Sequence, residues 1–156
     1  MIQFPEKKYS VIYADPPWNY AAGGKTRNVE RHYRTMKPED IYSLPVQDIA
    51  EDDCLLFLWA TFPNLDVALE TIRRWGFQYK TAAFVWVKRN RKAPSWFWSL
   101  GNWTRANAEI CLLATKGKPK RASASVHSII DAPIGRHSEK PAEARDRIVQ
   151  LAGGDQ

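Results

Sequence analysis

Asp15-Pro16-Pro17-Trp18 is the stretch of this chain whose residue types are best suited to chemistry. It follows an alternating run, Tyr9-Ser10-Val11-Ile12-Tyr13-Ala14, that reads as a β-strand. A strand ending in a carboxylate and two prolines projects that carboxylate from the carboxyl edge of a sheet, where open α/β sheets bind ligands. Each proline fixes its own φ and removes a backbone donor, leaving a rigid cluster of acceptors. The Asp15 carboxylate and the Pro16 carbonyl could accept the two hydrogens of an exocyclic amine on a flat ring, with Trp18 stacked against that ring. Taken alone, the tetrapeptide reads equally well as a turn, because Asp and Pro both favour turns.

An amine on a nucleobase is a poor nucleophile, since its lone pair is delocalised into the ring. Acceptors that draw the nitrogen toward tetrahedral geometry would also stabilise the positive charge that develops as a methyl group arrives. Alignment of amine and methyl donor would supply most of the rate. A base within a duplex must first be flipped out, whereas an unpaired base avoids much of that cost.

The elements that must position these residues are legible as an alternating pattern. Residues 19–28 are polar and glycine-bearing, and read as a loop leaving the candidate site; Gly23-Gly24-Lys25-Thr26 lacks the first glycine of a phosphate-binding loop. Pro38 to Leu44 reads as a short helix with proline at its start and acids in its first turn. Cys54 to Ala60 is continuously apolar, the pattern of a strand buried on both faces. Leu65, Ala68, Leu69, Ile72 and Trp75 follow a helical period, with Asn64 placed to cap and Gly76 to stop. Strands are expected again at 81–87, 109–115 and 126–130, and a last helix over 141–151. Strands alternating with helices predict a mostly parallel, layered α/β sheet.

Two basic clusters interrupt the pattern. Lys88-Arg89-Asn90-Arg91-Lys92 opens a segment continuing through Trp96, Trp98, Trp103 and Arg105, and Lys116 to Arg121 forms the second. In a parallel sheet both would fall on the Asp15 edge, where a polyanion would meet them and bind in a salt-dependent way. The net charge of +6 points the same way, and seven tryptophans among basic residues suit base stacking.

A length of 156 residues predicts one domain, large enough to bury about two-thirds of its unfolded surface. No apolar run approaches the ~20 residues of a membrane span. The first residues lack the apolar core of a signal peptide, so a cytoplasmic protein without a membrane partner is expected. Cys54 and Cys111 lie in apolar runs without a second ligand at metal spacing and read as buried free thiols, with no metal site.

Asp15-Pro16-Pro17-Trp18 is similar to the signature of the adenine N(6)-methyltransferases related to the eukaryotic mRNA adenosine methyltransferase. The resemblance continues in order along the chain. Tyr33-Arg34-Thr35-Met36 resembles the family's active-site loop, and Leu56-Phe57-Leu58-Trp59 with Thr61 its second core strand. Phe84 to Lys88, Gly101-Asn102-Trp103 through Glu109-Ile110-Cys111-Leu112, and Arg136-His137-Ser138-Glu139-Lys140-Pro141 resemble later segments. The resemblance implies a Rossmann-like, S-adenosylmethionine-dependent methyltransferase fold. The reaction implied is methylation of adenine in DNA, in preference to RNA.

By the same resemblance Asp15, Pro16, Pro17 and Trp18 hold the target amine. Asp15, Pro16, Lys140, His137 and Ser138 face the cofactor, and Lys140 also stands just before a helix start. Tyr20, Tyr33, Asn102, Arg105, Glu109, Lys88 and Arg89 are candidate contacts to nucleic acid, Glu109 being also a potential partner of a lysine. In the resembling family a further strand follows the late helix and contacts the cofactor's adenosine. The sequence stops at Gln156, so the expectation is a single domain over 1–156, C-terminally short. Its methionine half-site is arguable, and an exposed edge would be free for homo- or heterodimer pairing. A non-catalytic nucleic-acid-binding partner subunit, and methylation of cytosine's amine, stand as the alternatives.

Overall fold

The computed structural model describes residues 4–18, 35–101, 103–136 and 139–153. The first strand, β1, spans Tyr9–Ala14 and leads to a short helix α1 at Pro38–Tyr42, then β2 at Ala50–Ala60. Helix α2 (Leu65–Arg74) precedes β3 (Gln78–Arg89), and β4 (Ala108–Lys116), β5 (Ile129–Pro133) and α3 (Ala142–Ala152) complete the order. The strands form one five-stranded sheet in the order β1-β2-β4-β3-β5.

β2 is apolar throughout its second half because it is buried there on both faces. Cys54, Leu56, Leu58 and Ala60 face one core layer, shared with Ala68, Ile72 and Trp75 of the α2 region. Leu55, Phe57 and Trp59 face the other, shared with Ala144 and Ile148 of α3. Alternate side chains of one strand therefore serve two helical layers, as the pleat requires.

β1 pairs with β2, and β3 with β5, in parallel. β4 runs antiparallel to both β2 and β3, so four strands point one way and one against them. The physical reason lies in the connection: the described residues between 90 and 107 contain no helix to carry a crossover, so the chain returns beside the strand it has just left.

That reversal corrects one expectation. The carboxyl ends of β1 and β3 share an edge with the start of β4, but the Lys116–Arg121 cluster follows the far end of β4 and lies at the opposite edge. There Lys118 N–H donates to Asp53 Oδ1 at 2.8 Å, near the start of β2. Gly117 has φ +69°, and a Cβ on it would stand 2.2 Å from Asp52 O. The second basic cluster is a tight turn packed on β2.

Smaller departures concern boundaries and caps. β5 begins at Ile129 rather than Val126, and α1 ends at Tyr42. Asn64 does not cap α2 with its side chain; its amide donates to Thr61 Oγ1 at 3.0 Å instead. Both cysteines are free and buried. Among the described residues no helix is long and apolar enough to cross a membrane.

Candidate active site

The end of β1 is fixed from beneath. Trp18 is 6% exposed, and its indole N–H donates to the Trp59 carbonyl at 2.8 Å. Trp18 N–H also donates to Pro16 O, and Met36 N–H to Pro17 O, both at 2.9 Å. The expected stacking of Trp18 on a target ring is not what this geometry offers: the ring belongs to the core and pins the turn, because burying a tryptophan with its N–H satisfied is favourable. The Pro16 carbonyl retains one lone pair for another donor, having spent the other on Trp18.

Trp59, read from sequence only as part of a core strand, is the hub beneath the site. Its indole N–H donates to Tyr13 Oη at 2.7 Å, and it meets Trp86 edge-on at 6.3 Å. Lys140 Nζ stands 5.3 Å from the centre of its ring. The signal that could have found Trp59 is its place on β2 near Tyr13 of β1, two strands whose ends meet at Asp15.

Four charged side chains converge above this hub. Lys140 Nζ lies 2.7 Å from Glu109 Oε1 and 3.6 Å from Asp15 Oδ2. Lys88 Nζ lies 2.6 Å from Glu109 Oε2. Glu109 is thus gripped by two ammonium groups supplied by β3 and by the approach to α3. Burial raises its pKa, but the charges of Lys140 and Lys88 outweigh that and hold it below the usual carboxylate range. Asp15 behaves oppositely. Burial raises its pKa, Lys140 lowers it and Glu109 raises it, and the net direction is upward.

Beside them a cleft of about 270 Å³ opens between the end of β1 and the start of α3, lined by Tyr13, Ala14, Asp15, Glu139, Lys140, Pro141, Ala142 and Arg145. Acids and cations both line it, and the amino end of α3 adds its positive pole. This donor and acceptor set fits the ammonium and carboxylate of an amino acid. Its volume lies just below the roughly 300–1,000 Å³ of drug-sized ligand sites, so it suits the methionine end of S-adenosylmethionine rather than the whole molecule. Arg145 escaped the sequence reading, although it stands four residues after Pro141 on the same helical face.

The other expected site residues divide clearly. Lys88, Glu109 and Lys140 are brought to Asp15. Arg89 points away from that cluster: its guanidinium forks onto Asp131, with Nη2 to Oδ2 at 2.8 Å, and stacks on Trp96 at 4.4 Å. Adjacent residues on a strand point to opposite faces, which sends Lys88 to the site and Arg89 away from it. Arg105 is exposed in the β3–β4 loop. Tyr20, Tyr33, Asn102, His137 and Ser138 lie outside the described residues.

A family model described as MT-A70 matches residues 9–154. The chain belongs to the MT-A70 family. With it comes the class: MT-A70 proteins are adenine N(6)-methyltransferases, they use S-adenosylmethionine, and this chain is an enzyme of the methyltransferase class. The type II methyltransferase M.MunI of a Mycoplasma species is 34% identical over 171 residues, covering 96% of this chain and 70% of that protein. The human N(6)-adenosine-methyltransferase catalytic subunit METTL3 is 28% identical over 149 residues, covering 94% of this chain. An N(6)-adenosine-methyltransferase MT-A70-like protein of Drosophila melanogaster is 29% identical over the same length. The chain spans 24% of the human protein and 23% of the fly protein. The resemblance read from the motifs is thereby established at the level of the family.

Proposed function

We propose that this chain transfers a methyl group from S-adenosylmethionine to the exocyclic amine of adenine in a polynucleotide, DNA in preference to RNA. The observation that carries the reading is the convergence of Asp15, Lys140, Glu109 and Lys88 at one sheet edge, beside a cleft fitted to an amino-acid zwitterion. The preference for DNA is supported by coverage: the bacterial type II methyltransferase is matched over 70% of its length, the adenosine-methyltransferases over about a quarter.

Bound in the cleft, the cofactor would supply an electrophilic methyl group on a sulfonium. Asp15 would accept a hydrogen from the target amine, and the free lone pair of the Pro16 carbonyl would accept the other. Lys140 would share its charge between Glu109, Asp15 and the cofactor's carboxylate, with Arg145 as a second cation for that carboxylate. Glu109 would act by positioning Lys140. A new nitrogen–carbon bond would form as the sulfur–methyl bond breaks, its electron pair staying on sulfur. The surplus proton would leave the nitrogen afterwards. An amine held by two acceptors needs no prior deprotonation, because those acceptors stabilise the charge it develops.

The test is transfer of labelled methyl from S-adenosylmethionine to adenine-containing DNA and RNA, with Asp15→Ala as control. Transfer that is strong, adenine-dependent and lost in the variant is expected. Polynucleotide binding without transfer would instead support the reading as a partner subunit.

A further inference from the structure

The seven tryptophans fall into two sets. Trp18, Trp59, Trp75 and Trp86 are buried, and each donates its indole N–H, to Trp59 O, Tyr13 Oη, Ile41 O and Ala132 O respectively. Trp96, Trp98 and Trp103 all lie in the β3–β4 loop and are exposed, and none donates its indole N–H to a hydrogen bond among the described residues; the ring of Trp96 carries the Arg89 guanidinium, and those of Trp98 and Trp103 carry no cation. Trp103 is 102% exposed and Leu100, in the same loop, 85%. Large apolar side chains grouped at a surface mark a contact site more often than chance placement does.

The loop is built to present them. Asn90 N–H donates to Ser95 O, and Phe97 N–H to Lys88 O, both at 2.9 Å; Ser99 N–H donates to Ala106 O at 2.8 Å. Gly101 has φ +69°, and a Cβ there would stand 1.9 Å from Thr104 O, so the turn closes only on glycine. Trp103 follows at φ +76°, a conformation that bulky residues seldom hold without surrounding constraint. Its indole thus stands fully in solvent.

Charge and location narrow the occupant. Residues 90–107 contain no Asp or Glu. Their cations Arg91, Lys92 and Arg105 make no ion pair among the described residues, unlike Lys88 and Arg89 on the strand below. The loop leaves and rejoins the sheet at the Asp15 edge, and its Phe97 is bonded to the backbone of Lys88. Exposed ring faces with unpaired cations suit bases and phosphates together. A duplex hides its base faces in its own stack. A second copy of this chain, also at +6, would bring a cationic loop against a cationic loop.

We propose that the β3–β4 loop is a stacking platform for unpaired nucleotides flanking the target base, with Trp98 and Trp103 as the plates and Arg91, Lys92 and Arg105 as phosphate contacts. This rests on the methyltransferase reading above and specifies how the strand is held.

The experiment is fluorescence anisotropy of the full chain with a labelled single strand carrying one adenine, as DNA and as RNA. Wild type, Trp98→Ala, Trp103→Ala and the double variant are compared, each checked by melting temperature. Each single variant is expected to lose on the order of fivefold to a hundredfold in affinity, with an unchanged salt slope. Abasic sites beside the adenine should weaken wild type similarly and the double variant no further. A loss on only one of the two strands also supports the platform and identifies the sugar it accepts. Wild-type affinity in the double variant overturns it. So does loss of self-association in sedimentation with strand affinity intact, which would make the loop a protein interface. Asp15→Asn separates the two ideas: it should abolish transfer, while in its background Trp98→Ala and Trp103→Ala should still cost the same fold in strand affinity as in wild type; full transfer in Asp15→Asn would remove the active-site reading while leaving the platform result standing.

Discussion

Both edges of the sheet carry basic residues, and they do different things with them. At the Asp15 edge Lys88 and Lys140 are largely buried, at 20% and 12% side-chain exposure, and clamp the same glutamate. At the opposite edge Lys118, Lys120 and Arg121 make no ion pair among the described residues, and are carried by a turn whose backbone is tied to Asp53. The runs look alike as sequence. Strand direction separates them, since β3 ends where β1 ends while β4 starts there.

The sharpest way to break this contrast is Asp15→Ala, which should lower methyl transfer by roughly a thousandfold, by analogy with losing one group that stabilises developing charge. Labelled-methyl transfer at saturating cofactor measures it. A loss under tenfold would mean that this edge does not hold the chemistry.

Next in size is Glu109→Ala, which leaves two largely buried ammonium groups facing each other and should destabilise the fold by about 3 kcal/mol in a urea titration. The pH dependence follows from the sign of the shift. Because the folded Glu109 pKa lies below its ordinary 4.5, its contribution is complete above pH 4.5 and is lost as pH falls through the lower folded value. Glu109→Gln should therefore show a shallower loss of stability below pH 4.5 than wild type does. Asp15 carries the opposite sign. Its raised pKa means that the fold disfavours its charge above pH 3.8, so Asp15→Asn should cost no stability at neutral pH. Any gain should stay below about 0.5 kcal/mol, because the side chain is partly solvated. The charge of one acid supports the fold, and the charge of the other does not.

Smaller effects test the two loops directly. Neutralising Arg91, Lys92 and Arg105 together should lower single-strand affinity about tenfold and flatten its salt dependence by roughly 0.7 for each phosphate that is no longer neutralised. Neutralising Lys118, Lys120 and Arg121 should change affinity by about twofold at most, which is the nonspecific effect of net charge alone. Equal effects from the two triples would erase the distinction between the edges.

Much of this was legible in the residues. β2 announced its burial through unbroken apolar character from Cys54 onward, α2 through its period, and the Asp15 site through a carboxylate and two prolines at a strand end. Trp18 was legible as part of the motif, yet its role was not, because burial depends on what packs above and below it. The pairing of Glu109 with a lysine was visible as an alternative, but its grip by two lysines from distant segments was not. Arg145 and Trp59 were missed because nothing local marks a helix face or a strand position as facing a site.

The sequence by itself determined the family, the alternation of strands and helices, and the cluster of acceptors at the end of β1, because these rest on local chemistry: φ restriction, hydrophobic period and motif spacing. Only the tertiary structure decided which cations belong to the site. A lysine's neighbours depend on strand direction, and the antiparallel return of β4 brings Lys88, Glu109 and Lys140 to Asp15 while it carries Lys116 to Arg121 to the far edge.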